Sequence, residues 1–332
     1  MMKMKGKWSQ SSAVMAAGVF LFVITCTAVA VQAAEKYPSK PVRFVITHAP
    51  GGSNDKPIRL IQPFLQKTLG VPVILENMPG AGGNIARAYV QKQPPDGYTF
   101  LVSQQPSVSS GAIASSKATY DPLKFVQVYN ISGKSYLCVA VPFNSPFKNV
   151  KELIEASKKN QLTMGGAGTG GTSFIVLTLL AKAGANLQYV PFNSAPEAAM
   201  AIAGNQIDCA SSNYDFFIPM QKQNKVRILG VTGPERGEFA PDVPTLTEQG
   251  IPGIELDQIV GAHAPLGFPK EKLDIMAAAF EKAIQDEEFK KVAKNAQLVL
   301  NPMGPEKFKV EFMKLHKMIE SLGPLLREAS KK

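Results

Sequence analysis

The sequence predicts an α/β protein of two domains joined by two crossing strands, a hinged clamshell with a cleft between its halves. Three observations predict it. Strand-like runs alternate with helical runs along almost the whole chain, the pattern of sheets covered by helices. A long β-prone segment from Phe125 to Pro142 breaks that rhythm, and a fresh set of units follows it. The 332 residues, less an N-terminal leader, suit two compact domains.

The leader is read from Lys3, Lys5 and Lys7, which form a positive region, and from the apolar run Ala13 to Ala30. Small residues then place Val31 and Ala33 at the positions that a signal peptidase requires, so residues 1–33 are expected to be a cleaved export signal. An uncleaved anchor is the rival, because the run approaches the ~18 residues at which a spanning helix becomes feasible. A lipid anchor at Cys26 is disfavoured by the Thr25 before it. Cleavage removes three lysines and no acid from a chain of net charge +10. The remaining Lys and Arg are scattered among acids, with only Lys331 and Lys332 as a run, so no nucleic-acid stripe is present. Cys138 and Cys209 lie inside strand-like runs and are expected to be buried thiols, although export permits a disulfide. The three histidines, His48, His263 and His316, are far apart and show no metal-ligand spacing.

The elements follow in order. Val42 to Thr47 is a buried strand, and a helix from about Pro57 to Leu69 stops at Gly70, with Pro63 expected to kink it. Val71 to Leu75 is a strand, Ile85 to Lys92 a helix, and Pro94-Pro95-Asp96-Gly97 turns into the strand Tyr98 to Ser103. A polar stretch leads to Phe125–Pro142, the first crossing. Helices are then expected at Lys151–Lys159, Thr172–Ala183 and Pro196–Ala203, and strands at Leu162–Met164, Leu187–Phe192, Ile207–Ser211 and Val226–Val231. Ile254 to His263 crosses back, and amphipathic helices within Lys270–Lys294 and Pro305–Glu328 should pack on the first domain. The domain expectation is therefore 34–134 with 255–332, interrupted by 135–254. The cleft between them is the natural ligand site.

Glycine-rich loops recur between strands and helices: Gly51-Gly52-Ser53, Gly80-Ala81-Gly82-Gly83-Asn84, and Gly165 to Ser173. Glycine lets the backbone approach a ligand, and the free N–H groups of the following helix favour an anion. Any one of these is an ordinary short connection; three of this richness, drawn from both domains, point to a carboxylate held from two sides. The third loop also fits a dinucleotide fingerprint, but Val190-Pro191-Phe192-Asn193-Ser194 supplies no ribose-binding acid, and no Lys follows the glycines as a phosphate loop needs. Ser53, Ser173 and the isolated histidines form no hydrolase motif. His48 precedes the first loop and can either face the cleft, pairing with a carboxylate, or bond the backbone at a strand end. Asp55 reads either as an acid/base carboxylate or as a helix-start residue.

At these residues the chain resembles the periplasmic "Bug" receptors of tripartite tricarboxylate transporters. The likeness lies in Tyr37-Pro38-Ser39-Lys40-Pro41-Val42, Pro50-Gly51-Gly52-Ser53-Asn54-Asp55, Glu76 to Ile85, Pro94 to Thr99, Pro241 to Thr245 and Ala264 to Pro269. The resemblance implies a periplasmic-binding-protein-like clamshell that closes on a carboxylate and delivers it to a membrane permease with a large and a small subunit. It implies no cofactor and no catalysis, and we expect a monomer. By resemblance, first-domain contacts come from Gly51, Gly52, Ser53, Asp55, Ser103 and Gln104; His48, from its place before the first loop, and Gly82, from the second loop, are further candidate ligand residues. Those of the second domain come from Gly168, Thr169, Gly171, Thr172 and Ser173, with Asn193 and Asn213 nearby. Departures from the family pattern concentrate in the pocket: His48 replaces an aromatic residue, Phe174 a His, Phe192-Asn193-Ser194 a Tyr-Lys-Gly, and Ile259 stands near a usual Trp; Ser212 to Phe216 also differs. Phe174, Phe192 and Tyr214 are expected to line the cleft and to suit a ligand with an apolar or aromatic body. A sensory module that presents its ligand to a histidine kinase, and a secreted enzyme, are the alternatives.

Overall fold

The computed structural model describes residues 36–114, 118–133, 136–251 and 256–330. The export signal, the Lys331–Lys332 pair and the expected domain boundaries at 134/135 and 254/255 lie outside the described residues. The described residues from 40 onward form one compact unit built on two sheets.

The first sheet begins with β1 (Val42–Ile46), α1 (Asp55–Leu69), β2 (Val73–Asn77), α2 (Asn84–Gln91), β3 (Thr99–Gln105), α3 (Ser107–Ala114) and β4 (Phe125–Ser132). In α1, Ile58, Ile61, Leu65 and Leu69 are buried at helical spacing, and Gly70 ends the helix with a left-handed φ of 71°. Pro63 does not interrupt it; the ring sits on the exposed face, so the backbone acceptor it leaves unpaired is on the solvent side. The polar stretch after β3 contains α3, where the sequence predicts no element. Its serines and glycine carry no helical periodicity, and every residue from Ser107 to Gly111 is buried.

The chain then enters the second sheet through β5 (Leu137–Pro142), α4 (Val150–Lys159), β6 (Leu162–Ala167), α5 (Thr172–Lys182), β7 (Leu187–Phe192), α6 (Ala195–Ala203), β8 (Cys209–Asn213), α7 (Tyr214–Lys222) and β9 (Val226–Val231). It returns as β10 (Ile259–Pro265), followed by α8 (Lys270–Gln285), α9 (Glu287–Asn295), β11 (Leu300–Met303), α10 (Pro305–Ser321) and α11 (Gly323–Ala329). The strand orders are β11-β4-β10-β3-β1-β2 and β7-β6-β8-β5-β9. Parallel pairing of β1 with β2 and β3 sends each strand's C-terminal end, and its loop, to the same edge. The returning β10 runs antiparallel between β3 and β4, which ties the far end of the chain into the first sheet.

Phe44 and Phe100 stack at 5.2 Å under the first sheet, and Phe280 of α8 stacks on Tyr129 at 5.4 Å. The second core gathers Val139, Leu153, Met164, Phe174, Ile175, Leu180 and Leu229. Helix α5 is apolar all round because a second layer covers it: Ile319 of α10 and Leu326 of α11 belong to the same cluster. The C-terminal helices thus do not pack on the first half alone; α11 lies against both α3 and α5. Cys138 and Cys209 are buried and are not joined in a disulfide.

Candidate functional site

The glycine loops after β2 and β6 meet where the two halves touch. The contact is backbone on backbone. A methyl group placed on Gly168, whose φ is +67°, would lie 2.4 Å from the Gly82 Cα, and one on Gly82 (φ +64°) 2.6 Å from the Thr169 carbonyl oxygen. No side chain fits between these loops.

Beside this contact opens a cavity of about 530 Å³ whose wall includes His48, Gly82, Asn84, Gly168, Thr169 and Asn193. Phe192 and Pro191 add an apolar face. Among the described residues of its lining there is no carboxylate side chain. The first turns of α2 and α5 start from the two loops, so backbone N–H groups and the positive helix ends stand at the contact. A second cavity of about 470 Å³, sharing Thr169, Pro191 and Ser330, lies between α5, β7 and α11.

His48 is 4 % exposed, and its Nδ1 sits 2.8 Å from the Asn54 side-chain amide and 3.0 Å from Thr47 Oγ1. Asn54 also donates to Thr47 Oγ1 at 2.5 Å, so Nδ1 is the acceptor and the ring proton belongs on Nε2. Nε2 has no partner among the described residues. Burial, reinforced by the Arg87 charge, pulls the His48 pKa down to about 3. The ring is therefore neutral at physiological pH, unlike the imidazolium that the pairing reading of His48 required.

The other sequence-predicted residues divide into a polar seam and a scaffold. Ser53 Oγ donates to Gln104 Oε1 at 3.1 Å, and Gln104 Nε2 donates to Thr172 Oγ1 at 3.2 Å, which carries the seam from the first half to α5. Asn213 donates to Gln258, and with Ser53 lines a narrow crevice of about 20 Å³ at the far end. Ser173 Oγ is spent on the Ser211 carbonyl at 2.7 Å, and Ser103 Oγ accepts from Arg87. Gly171 starts α5, and Gly52 donates its N–H to the Ala49 carbonyl. Asp55 is placed away from the cavities, in the helix-start role. Its carboxylate accepts from the Gly51 N–H at 2.9 Å, Asn77 at 2.9 Å and Arg59 at 2.5 and 2.8 Å. Burial alone would raise its pKa, but these bonds outweigh it and hold the carboxyl below its ordinary value. Of the three aromatics expected to line the cleft, Phe192 does so. Phe174 faces the second cavity in edge contact with Tyr189, and Tyr214 is buried away from both.

Arg87 and Asn84 were missed by sequence reasoning. Helix α2 is turned so that Asn84, Ala86, Arg87 and Val90 are buried while Ile85 is 52 % exposed. The available signal was Arg87 sharing a stripe with Ala86 and Val90 directly after a glycine loop. Tyr189, whose hydroxyl donates to the Gly168 carbonyl at 2.9 Å, was missed as well, because a tyrosine within an apolar strand looks like core.

Residues 58–319 match the profile of the tripartite tricarboxylate transporter family receptors. The "UPF0065 protein in gbd 5'region" of Cupriavidus necator is 33% identical over 298 residues, covering 87% of this chain and 90% of that one. A UPF0065 protein of Agrobacterium vitis is 31% identical over 302 residues, covering 88% and 87%. Among solved structures, the periplasmic binding protein BugD is 28% identical with a TM-score of 0.79 over 88% of this chain and 98% of that one. MatC (Rpa3494) of Rhodopseudomonas palustris, solved with bound malate, is 27% identical with a TM-score of 0.80 over 87% and 100%. The two-sheet architecture is accordingly the two-domain α/β fold of periplasmic solute-binding proteins. With its glycine loops meeting at the cleft and its profile matched over most of its length, the chain belongs to the tripartite tricarboxylate transporter family of solute-binding receptors.

Proposed function

We propose that the chain captures a small organic mono- or dicarboxylate between its halves in the periplasm and delivers it to a tripartite tricarboxylate-type permease of one large and one small membrane subunit. It works as a monomer, after removal of its leader, with no cofactor and no turnover of the ligand. The observation that carries this reading is the cavity of about 530 Å³ between the two halves, walled by glycine loops and amides and, among the described residues, bare of acidic side chains. Helix starts and free backbone donors at such a wall stabilise a carboxylate without a charged side chain at its surface. The malate bound by MatC supports the same ligand class, and Phe192 leaves room for an apolar body beside the carboxylate.

Calorimetric titration of the mature protein with a carboxylate panel tests the reading: at least one mono- or dicarboxylate should bind, and binding confined to uncharged solutes would reject it. Chemical conversion of any bound ligand would reject the receptor role in favour of an enzyme. Ser53→Ala and Thr172→Ala are each expected to weaken carboxylate affinity by about 1–3 kcal/mol where the seam hydroxyl donates to the buried carboxylate. Unchanged affinity in both variants would remove the seam from the site.

A further inference from the structure

Arg87 is fully buried, and among the described residues its hydrogen-bond partners are neutral. Nη1 donates to the Gly82 carbonyl at 2.9 Å and to Asn84 Oδ1 at 3.0 Å, Nη2 to Ser107 Oγ at 2.6 Å, and Nε and Nη2 both to Ser103 Oγ. The Tyr120 ring lies 5.8 Å away. No carboxylate accepts from the guanidinium among the described residues, and α2 has no acid in its first turn. A permanent cation and the positive end of its own helix therefore stand together in a dry place. That arrangement is unfavourable unless an anion completes it.

The anion has an evident position. Arg87 lies one peptide behind the cavity wall: a methyl group on Gly83 would come within 3.1 Å of Nη2, and both Gly82 and Gly83 line the cavity. His48 lines the same cavity, and its Nε2, buried and without a partner among the described residues, is a neutral N–H donor on a ring whose orientation Asn54 and Thr47 fix. An orphaned donor and a cation with no carboxylate partner, both buried behind one wall, are answered by the same chemical group, an oxyanion with a free lone pair.

We propose that Arg87 and His48 set the charge specificity of the receptor: Arg87 acts through the Gly82–Gly83 peptides to require a carboxylate at this wall, and the His48 Nε2–H donates to one of its oxygens. The inference rests on the carboxylate reading above and deepens it by naming which ligand end is recognised and what is refused. An amide of the same shape offers no charge to Arg87 and should be discriminated against. Arg87 is here a positioning residue, acting through the loop rather than by touching the ligand.

The test is titration of the mature protein with succinate, malate and adipate, and with both half-amide regioisomers of the unsymmetrical, hydroxyl-substituted form of whichever binds most tightly. Wild type should prefer the diacid or, if it reads one end only, one regioisomer of a substituted half-amide, by about tenfold or more. Arg87→Gln should bring diacid and half-amide within about threefold of each other, while Arg87→Lys, which keeps the charge, should retain the preference. His48→Phe should weaken the diacid about tenfold or more, and His48→Gln, which keeps a donor, should recover part of that loss. A wild type that binds no carboxylate sinks the parent reading. A wild type that binds the diacid and all its half-amides equally overturns the inference alone, as does a folded Arg87→Gln with unchanged preference. If neither Arg87 variant folds, the wild-type ratio and His48→Phe decide, and an unweakened His48→Phe overturns the proposal.

Discussion

Gly168→Ala is expected to weaken ligand binding about a hundredfold, close to 3 kcal/mol, while leaving each half folded. Gly82 and Gly168 belong to opposite halves and touch through their backbones, so the added methyl meets a Cα at 2.4 Å and an amide nitrogen at 2.7 Å. Backbone cannot rotate aside as a flexible side chain does; the halves must separate. A ligand that needs the closed contact then binds only by paying for a state the variant rarely visits, and apparent affinity falls with that population. Alanine at a positive φ also costs about 1 kcal/mol of strain wherever it occurs, so a strain control is required. Gly70→Ala supplies it: φ is +71° at the end of α1, and an added methyl meets nothing within 4 Å. Calorimetry should show a large affinity loss for Gly168→Ala and none for Gly70→Ala, with solution scattering showing that ligand no longer compacts the former. Equal, wild-type affinity in both would mean that glycine contact is not part of ligand capture.

Acid should destabilise the protein steeply between pH 6.5 and pH 4. His263 is fully buried among Phe125, Phe308 and Phe312, with ring centroids 6.2, 5.1 and 5.9 Å away, and its pKa falls to about 4. Burial is the main cause; the Ser103 backbone opposes it, and the Arg87 charge adds to it. His48, beside Asn54, Thr47 and the same Arg87, falls to about 3. In both cases the folded pKa lies below the unfolded value near 6.5, so as pH drops through this window the unfolded chain takes up protons that the folded one refuses. Stability is full above pH 6.5 and decreases toward the folded pKa values, with His263 alone accounting for roughly 3 kcal/mol. Urea midpoints measured from pH 7.5 to 4 should fall accordingly, and His263→Phe, which suits its aromatic surroundings, should flatten the slope. A midpoint independent of pH in this range would show that neither ring is held neutral.

The alternation of apolar runs and turn residues was enough to locate nearly all the strands and most helices, because burial of one face has a period that survives in the sequence. The run Leu187–Phe192 and the run Val226–Val231 appear as strands with those ends. Helix α3 was illegible, since buried serines and a glycine have no period, and the serines are there to serve neighbours: Ser107 accepts from Arg87 and Ser110 donates to the Gly170 carbonyl. The C-terminal helices were legible as amphipathic segments, but not which half would receive Ile319 and Leu326, because an apolar stripe does not name its partner.

For the glycine loops, local chemistry reached a definite point: turns, close backbone approach and helix starts suited to an anion follow from residue type alone. Which loops meet, and what lies behind them, depended on bringing residues about eighty positions apart together. Tertiary packing put Gly82 against Gly168, spent the Asp55 carboxylate on Arg59, Asn77 and the Gly51 N–H, and oriented His48 with its Nε2 unclaimed. It also rotated α2 so that an arginine rather than an isoleucine went inside. Sequence thus sets what each segment can do on its own, whereas the charge and donors offered to a ligand are what remains after every segment has satisfied its neighbours.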